Sequence, residues 1–516
     1  MSCDIGVYGL SVMGQNMSLN IASKGFTVAV SNRPQERELL TNTLERVKLE
    51  NEVLASGGSG PSVSNVTELK IQGFEDCASF AASLQKPRKI IILVQAGKAV
   101  DDTIDTLIPH LEEGDILIDG GNEWYPNSVR RSINLIETTG VHYLGMGVSG
   151  GEEGARYGPS LMIGGDEAAF KAVEPILSAC AAQLDGDETC LALIGPIGAG
   201  NYVKMVHNGI EYADMQLIAE VYHILKLAGG LTNDELSKLF KEWNSTELES
   251  YLVEITSMIF SKKDDLSADS YVVDKILDKT GMKGTGRWTV QDAAERNVAI
   301  PIIASALDTR YISARKDERV STSSILSGPI DVPHVEKIQI IEDCRNALFA
   351  AKICAYSQGF SLIQAASDQE KWNIDLSSCA KIWQKGCIIR ASVLGRIQAV
   401  LKASSDDKGG GSKNLLSLMT NGEFADDIVH RQQSLRRIVT LSIACGIAVP
   451  ALSAAIAYYD QVRCGRLPAN LTQAQRDFFG GHAYERVDAE GAFHTKWTFN
   501  HKDIGGNVGD RFKGQL

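Results

Sequence analysis

Short apolar runs alternate with helical patterns through the first part of the chain. Four runs are typical of buried strands, at residues 5–8, 27–30, 89–94 and 115–119. Strands that alternate with helices indicate a parallel sheet covered by helices. The pattern therefore predicts an α/β domain that extends to the glycine-rich run 194–200, which we interpret as a domain boundary.

Helical patterns dominate after this boundary, and strand signals nearly vanish up to about Tyr459. Residues 342–366 and 379–401 show the clearest helical periodicity. From Arg463 the chain is irregular, glycine-rich and polar, which is typical of a tail that either frays or docks on something. The predicted division is an α/β domain over 1–198, an all-helical domain over 199–462 and a tail over 463–516.

The uncharged stretch from Ile438 to Tyr459 is long enough to cross a bilayer. Polar residues interrupt it, however, and Pro450 is expected to break it into two helices. A buried helix pair is therefore favoured over a membrane span.

Composition narrows the class of protein. With 516 residues, 44% of them hydrophobic and 22% charged, the chain is typical of a soluble globular protein with two to four domains. A net charge of -13 disfavours a nucleic-acid partner, so an anionic ligand must be held by locally gathered lysines and arginines. Ten cysteines without a C-x-x-C pair indicate reduced thiols, and the first strand lies so near the N-terminus that we expect a cytoplasmic protein.

Four polar residues share one face of a predicted helix. Lys204, His207, Asn208 and Glu211 stand at positions i, i+3, i+4 and i+7 among apolar neighbours. A base, an acid and hydrogen-bonding groups in a sheltered line suggest catalysis. A surface ion pair is disfavoured because i+7 is too long for a helical salt bridge, whereas His207, taken alone, is more often a structural histidine.

A dinucleotide site is indicated at the end of the first strand, where a G-x-S-x-x-G turn over residues 9–14 opens into a helix. Such a turn brings backbone amides to a pyrophosphate, although a plain strand-to-helix turn is the alternative. The next strand ends in Ser31-Asn32-Arg33, and an arginine there suits the 2′-phosphate of NADP unless it is merely a surface residue. Two further strands end in small residues, at 94–97 and 119–122, where ligands bind across an open sheet.

Together these residues resemble the decarboxylating 6-phosphogluconate dehydrogenases. The similar segments run in order from end to end of the chain, at residues 9–16, 118–122, 148–162, 204–216, 283–289, 316–319, 386–390 and 475–482.

The resemblance implies a Rossmann-type domain, a helical domain and a homodimer in which each tail reaches into the partner subunit. It implies oxidation of 6-phosphogluconate by NADP, with release of CO2 and formation of ribulose 5-phosphate in the pentose phosphate pathway, and no metal. Lys204 is then the general base and Glu211 the general acid. The implied substrate-binding residues are Asn122, Ser149, Gly150, Gly151, His207, Asn208, Tyr212, Lys283, Thr285 and Arg310, with Arg476 and His482 from the partner's tail. The implied cofactor-binding residues are Gly9, Leu10, Ser11, Val12, Met13, Gly14, Asn32, Arg33, Val94, Gln95, Ala96 and Asn122.

This chemistry makes demands on the two catalytic side chains. Lys204 must be neutral when it takes the hydroxyl proton, so its pKa must be lowered by burial or by a nearby cation such as Lys283 or a protonated His207. Glu211 must be neutral to return a proton, so apolar surroundings are expected to raise its pKa.

The chain departs from the family pattern at four positions and carries two apparent insertions. It has Ser11, Pro34, Gln95 and Asn201 where the family usually shows alanine, threonine, lysine and histidine, and the first three leave the strength of the NADP preference open. The apparent insertions cover residues 55–62 and 405–412. Two rival functions remain: a non-decarboxylating 3-hydroxyacid dehydrogenase and a catalytically silent NADPH-binding sensor.

Overall fold

The computed structural model describes residues 2–56, 66–267, 269–329, 333, 335–406 and 417–497. Most of the two apparent insertions, 55–62 and 405–412, lies outside the described residues. The chain divides into two compact units, Met1–Ile456 and Ala457–Leu516.

An eight-stranded sheet organises the N-terminal part of the first unit. Its spatial order is β3-β2-β1-β4-β5-β6-β7-β8. The first six strands in this order are parallel, whereas β7 runs antiparallel to β6 and β8 is parallel to β7. The order reverses between β1 and β4, and ligands of such sheets bind at the carboxyl ends of the strands near that point. The strands are β1 Ile5–Tyr8, β2 Val28–Ser31, β3 Ile71–Phe74, β4 Lys89–Ile92, β5 Ile116–Asp119, β6 His142–Ser149, β7 Ser160–Gly164 and β8 Leu191–Gly195.

The four predicted strands are confirmed as β1, β2, β4 and β5, within about two residues at each end. Helices cover both faces of the sheet, because alternate side chains of each strand enter two different apolar clusters. Val7 and Ile91 lie in one cluster, whereas Tyr8 and Ile90 lie in the other. Burial on both faces explains why these strands read as continuous apolar runs. The covering helices are α1 Val12–Ser23, α2 Arg37–Ala55, α3 Cys77–Ala82, α4 Lys98–Leu107, α5 Tyr125–Thr139, α6 Gly151–Tyr157 and α7 Glu167–Cys180.

The rest of the first unit is helical, as predicted. Its two longest helices, α8 and α14, pack against each other, and a buried ion pair joins them through Lys352 Nζ and Asp214 Oδ2, 2.8 Å apart. The helices are α8 Ala199–Leu227, α9 Asn233–Trp243, α10 Tyr251–Ser261, α11 Thr285–Glu295, α12 Pro301–Ala314, α13 Lys316–Ser323, α14 Lys337–Glu370, α15 Leu376–Ile382, α16 Val393–Asp406, α17 Ser417–Thr420 and α18 Gly422–Ala444, followed by α19 Pro450–Val462, which continues into the second unit.

The prediction of one helix over 379–401 was wrong, because α15 and α16 are separated by an irregular segment over 383–392. Backbone groups of this segment bond to other parts of the fold instead of to a helix. The Gly386 carbonyl accepts from the Ser160 amide at 2.8 Å, and the Ile389 carbonyl accepts from the Tyr356 hydroxyl at 3.0 Å. These bonds replace the helical ones across the break.

The apolar stretch from Ile438 to Tyr459 is divided as predicted, since α18 ends at Ala444 and Pro450 is the first residue of α19. No helix in the described part of the chain combines the length and the apolar character that a membrane crossing requires.

The second unit corrects the prediction of an irregular tail. It contains α20 Ala469–Gly480 and a short antiparallel hairpin formed by β9 Tyr484–Glu485 and β10 Ala492–Phe493. The sequence pattern did not indicate this helix and hairpin, because the tail is stabilised by a buried carboxylate, Asp477, rather than by an apolar stripe.

Candidate active site

The first turns of α8 lie directly against β6, and glycines make this approach possible. A side chain at Gly145 would collide with Asn201, and one at Gly147 would collide with the Cβ atom of Lys204. Alternate residues on the strand thus face successive turns of the helix. The G-M-G-V-S sequence of β6 therefore holds the polar face of α8 against the sheet.

Ser149, at the end of β6, starts a chain of hydrogen bonds along α8. Its hydroxyl oxygen accepts from the Ile388 amide at 3.4 Å and lies 3.1 Å from His207 Nε2. On the other side of the ring, His207 Nδ1 lies 3.1 Å from Asn208 Oδ1, and Asn208 Nδ2 donates to Thr285 Oγ1 at 3.1 Å. With the amide in this orientation, Ser149 donates to Nε2 and the Nδ1–H group donates to Asn208.

This arrangement suits a neutral His207 ring. Burial of the ring, and secondarily the charge of Lys204, places the pKa of His207 well below its usual value. Of the causes proposed for a lowered pKa of Lys204, a protonated His207 is therefore disfavoured. Lys283 is exposed on the loop before α11.

Lys204 is 5% exposed, and its ammonium nitrogen lies 3.4 Å from His207 Nδ1. Burial lowers the pKa of Lys204 below its usual value, while Glu211 and Cys387 act in the opposite direction. Loss of water alone thus favours the neutral amine that a general base requires.

Glu211 stands two helical turns further along α8, a rise of about 10 Å. Burial raises the pKa of Glu211, although the charges of Lys204 and Arg310 oppose this shift. Its carboxylate oxygen Oε2 lies 3.9 Å from His207 Nδ1, so the imidazole separates the two catalytic candidates. One buried helix face therefore carries a base and an acid whose pKa values move in the directions that the chemistry requires.

Further candidates for substrate binding border this face. The guanidinium carbon of Arg310 lies 3.4 Å from the centre of the Tyr212 ring, a stacked arrangement that orients the cation. Gly150 and Gly151 follow Ser149 and lead into α6. The predicted tail residues Arg476 and His482 are exposed in the second unit.

The turn after β1 fits a dinucleotide. A side chain at Gly14 would collide with the Gly9 carbonyl oxygen, so α1 begins immediately above the strand end. Ser11 precedes the helix in an extended conformation, and both it and Val12 are exposed. The free amides of the first helical turn are therefore open to a pyrophosphate.

The end of β2 carries two further predicted cofactor residues. Asn32 is buried and donates to the Glu36 carbonyl at 3.1 Å, whereas its Oδ1 atom has no hydrogen-bond partner among the described residues. A buried acceptor without a donor suits a ligand hydroxyl or amino group. Arg33 is 39% exposed and pairs with Glu36 at 2.6 Å, a surface ion pair that costs little to exchange for a phosphate.

Sequence reasoning missed a buried ion pair that joins two of the predicted cofactor loops. Glu123 Oε2 accepts from the Gly97 amide at 2.8 Å and from Arg131 at 2.6 Å, while Arg131 also donates to the Gly97 carbonyl at 2.9 Å. This pair joins the loop that carries Gln95 to the loop that carries Asn122. The side chains of both residues are exposed. The only signal in the sequence is an acidic residue directly after the D-G-G-N strand end.

Two family models match nearly the whole chain. The NAD binding domain of 6-phosphogluconate dehydrogenase matches residues 4–195, and the C-terminal domain of 6-phosphogluconate dehydrogenase matches residues 200–497. The chain belongs to the 6-phosphogluconate dehydrogenase family.

Relatives from distant organisms agree with this membership. Decarboxylating 6-phosphogluconate dehydrogenase 1 from Oryza sativa is 52% identical over 96% of this chain and 97% of its own length. The NADP(+)-dependent decarboxylating enzyme of Bacillus subtilis is 48% identical over 96% of this chain and 98% of its own. A solved structure of the Plasmodium falciparum enzyme, described in apo form and in complex with NADP+ and with 6-phosphogluconate, has a TM-score of 0.86 at 46% identity and covers 96% of this chain and 100% of its own.

Proposed function

We propose that this chain oxidises 6-phosphogluconate with NADP and decarboxylates the product to ribulose 5-phosphate, a reaction of the pentose phosphate pathway. The observation that carries this proposal is the buried face of α8, on which the pKa of Lys204 is lowered and that of Glu211 is raised. The activities for which the Oryza and Bacillus relatives are named support it.

In the proposed oxidation, Lys204 acts as the neutral base that takes the proton of the C3 hydroxyl. NADP, held by the turn after β1, supplies the acceptor for the C3 hydride. The neutral His207 and Asn208 orient the sugar acid without competing for its protons. A second cation beside Lys204 is not needed, because burial already favours the neutral amine.

In the proposed decarboxylation, the protonated Lys204 donates a hydrogen bond to the C3 carbonyl oxygen and stabilises the negative charge that develops there. The bond between C1 and C2 breaks and CO2 leaves. The electron pair of the broken bond remains on the sugar, which becomes an enediolate. Glu211 then gives a proton to the carbon that becomes C1 of ribulose 5-phosphate. Lys204 and Glu211 lie about 10 Å apart along the helix, which lets them serve opposite sides of the reacting carbons.

The two ends of the substrate are proposed to bind different groups. Ser149, Gly150 and Gly151 receive the carboxylate end, and Asn122 also binds the substrate. The phosphate end is bound by Tyr212, Lys283, Thr285 and Arg310, together with the partner subunit's Arg476 and His482. The hydrogen bond from Asn208 supports the role of Thr285, because it leaves the hydroxyl proton of Thr285 available to a phosphate oxygen.

We also propose a homodimer, a division into domains at 198/199 and 462/463, and a cytoplasmic location. Exposed apolar side chains at Ile325, Leu326 and Ile338 support an association surface on the helical part. The family models, which meet between residues 195 and 200, support the first boundary. The Oryza relative at 52% identity carries no organelle in its name, whereas other plant relatives are named chloroplastic.

The proposal is tested with the purified full-length chain, 6-phosphogluconate, and NADP or NAD in parallel. The expected result is NADPH formation with equimolar release of CO2 and a strong preference for NADP. NADPH formation without CO2 would instead identify a non-decarboxylating dehydrogenase. Tight NADPH binding without turnover would identify a silent sensor.

A further inference from the structure

We infer that Asp477 is a positioning residue for substrate binding, which holds His482 and Arg476 of the tail in the orientation that the partner's site requires. The inference rests on the proposed function, in which these two residues bind the phosphate.

Asp477 lies on α20 and is completely buried in the small second unit. Its Oδ1 atom accepts from the Ala483 amide at 2.9 Å and lies 2.8 Å from His494 Nδ1. Its Oδ2 atom accepts from the Thr495 amide at 3.0 Å and from Trp497 Nε1 at 2.7 Å. One carboxylate thus ties the end of α20, the following turn and the segment after β10 together.

The two backbone amides and the indole N–H can only donate, so the site favours an ionised carboxylate. Burial opposes ionisation, but the bonds from His494, Thr495 and Trp497 hold the pKa of Asp477 well below its usual range. An asparagine would place an NH2 group against the Ala483 amide or against the Thr495 amide and Trp497 Nε1. Asp477→Asn is therefore a substitution of nearly equal size that breaks the network.

The network fixes the turn that carries His482. Residues on both sides of the histidine have left-handed backbones, Gly481 with φ +61° and Ala483 with φ +55°. An alanine resists this conformation, so it needs outside support. The Ala483 amide donates to Asp477, and its carbonyl accepts from Gln473 Nε2, which bonds the turn on both sides.

The His482 ring is exposed but held in place. It packs over Gly480, where any side chain would collide with the imidazole, and its edge faces the Phe479 ring at a centroid distance of 6.0 Å. Arg476 directly precedes Asp477 and donates to Gln473 Oε1 at 3.0 Å. The turn of His482 is thus fixed on the buried carboxylate, and Gln473 links Arg476 to the same turn, which lowers the ordering cost of binding a ligand.

The experiment measures steady-state kinetics of full-length variants. His482→Ala and Arg476→Ala come first, and each is expected to raise the KM for 6-phosphogluconate. Asp477→Asn is then expected to raise this KM by about tenfold, while kcat and the KM for NADP change by less than about twofold, because only substrate orientation is lost. Asp488→Asn is the matched control, since Asp488 is exposed in the same unit and pairs with Arg486, and it is expected to behave like the unmodified chain.

Two further variants separate positioning from folding. Gly480→Ala displaces the imidazole and leaves the carboxylate network intact, so it is expected to raise the same KM. The double variant Asp477→Asn/His482→Ala is expected to raise the KM for 6-phosphogluconate by much less than the product of the two single increases. The effects are non-additive because both changes remove the same contact.

The outcomes are distinguishable. If His482→Ala and Arg476→Ala leave the KM for 6-phosphogluconate unchanged, the proposed role of the tail fails. If those two variants raise it but Asp477→Asn does not, the inference about Asp477 is wrong. A fall in kcat with an equal rise in both KM values, or a change in the oligomeric state on gel filtration, would make Asp477 a general folding residue and would overturn its positioning role.

Discussion

The proposed catalytic face of α8 and the cofactor edge of the sheet differ in how far the protein shields their side chains from water. On α8, Lys204 and His207 are buried by the protein itself, and burial is the first cause of both pKa shifts. At the cofactor edge, Ser11 and Arg33 are open to water, and recognition depends on backbone shape and on an exchangeable ion pair. The protein thus excludes water from the site of the proposed proton transfer. At the cofactor edge, much of the water must be displaced by the bound dinucleotide itself.

This contrast predicts large effects on turnover from α8 and smaller effects on cofactor affinity from the sheet edge. A charge that acts in a buried site has no water to replace it. A contact at an exposed site competes with solvent and with salt.

The largest expected effect is that of Lys204→Met. Removing the base should lower kcat by about 10³-fold and abolish decarboxylation of the 3-keto intermediate as well as oxidation. NADPH absorbance and CO2 release measure the two steps. Lys226→Met on the same helix is the control, because Lys226 pairs with Asp274 at the surface and should retain activity. Turnover close to that of the unmodified chain would rule out Lys204 as the base.

Glu211→Gln should lower kcat by about 10²-fold, since a positioned acid is lost. It should also change the pH profile. In the unmodified chain, activity is expected to fall at low pH as Lys204 becomes protonated and at high pH as Glu211 ionises, because burial lowers the pKa of Lys204 and raises that of Glu211. The variant should keep the acidic limb and lose the alkaline one. An unchanged alkaline limb would show that another group is the acid.

Arg33→Met tests the open side of the comparison. Loss of a charged partner for the 2′-phosphate should lower kcat/KM with NADP by about thirtyfold and leave kcat/KM with NAD within about twofold. The measurement is the ratio of the two cofactors at saturating 6-phosphogluconate. Arg37→Met, a change in an exposed arginine that pairs with Glu75, should leave the ratio unaltered. An equal loss with both cofactors would remove Arg33 from phosphate recognition.

Glu123→Gln should have the smallest effect, a rise of about tenfold in the KM for both NADP and NAD, because it loosens a loop rather than removing a phosphate contact. Cofactor titrations at constant substrate measure it. Glu137→Gln on the exposed face of α5 is the control. A loss confined to NADP would contradict a role in loop position.

Local patterns in the sequence predicted a good part of this molecule. The strands β1, β2, β4 and β5 are recognisable because they are buried on both faces, and the break at Pro450 follows from its missing amide. Lys204, His207, Asn208 and Glu211 were identified as one face because helical periodicity is a property of neighbouring residues. The assignment of their chemical roles came from family resemblance.

Other features depend on contacts between residues far apart in the chain, and periodicity does not register them. The segment 383–392 fits a helix by pattern, but its backbone groups bond to Ser160, Tyr356 and Ser149. The Glu123–Arg131 pair and the tail network around Asp477 also escape a pattern search, because polar residues reveal nothing about their partners.

The sequence by itself determined the strands β1, β2, β4 and β5, the glycine turn of the cofactor site and the polar stripe of α8. Tertiary structure alone decided the direction in which the pKa values on that stripe shift. The pKa values of His207 and Lys204 are lowered because β6 and the neighbouring helices exclude water from them. Desolvation is set by everything that surrounds a group, so four residues at helical spacing become suited to the proposed acid and base roles only in the folded chain.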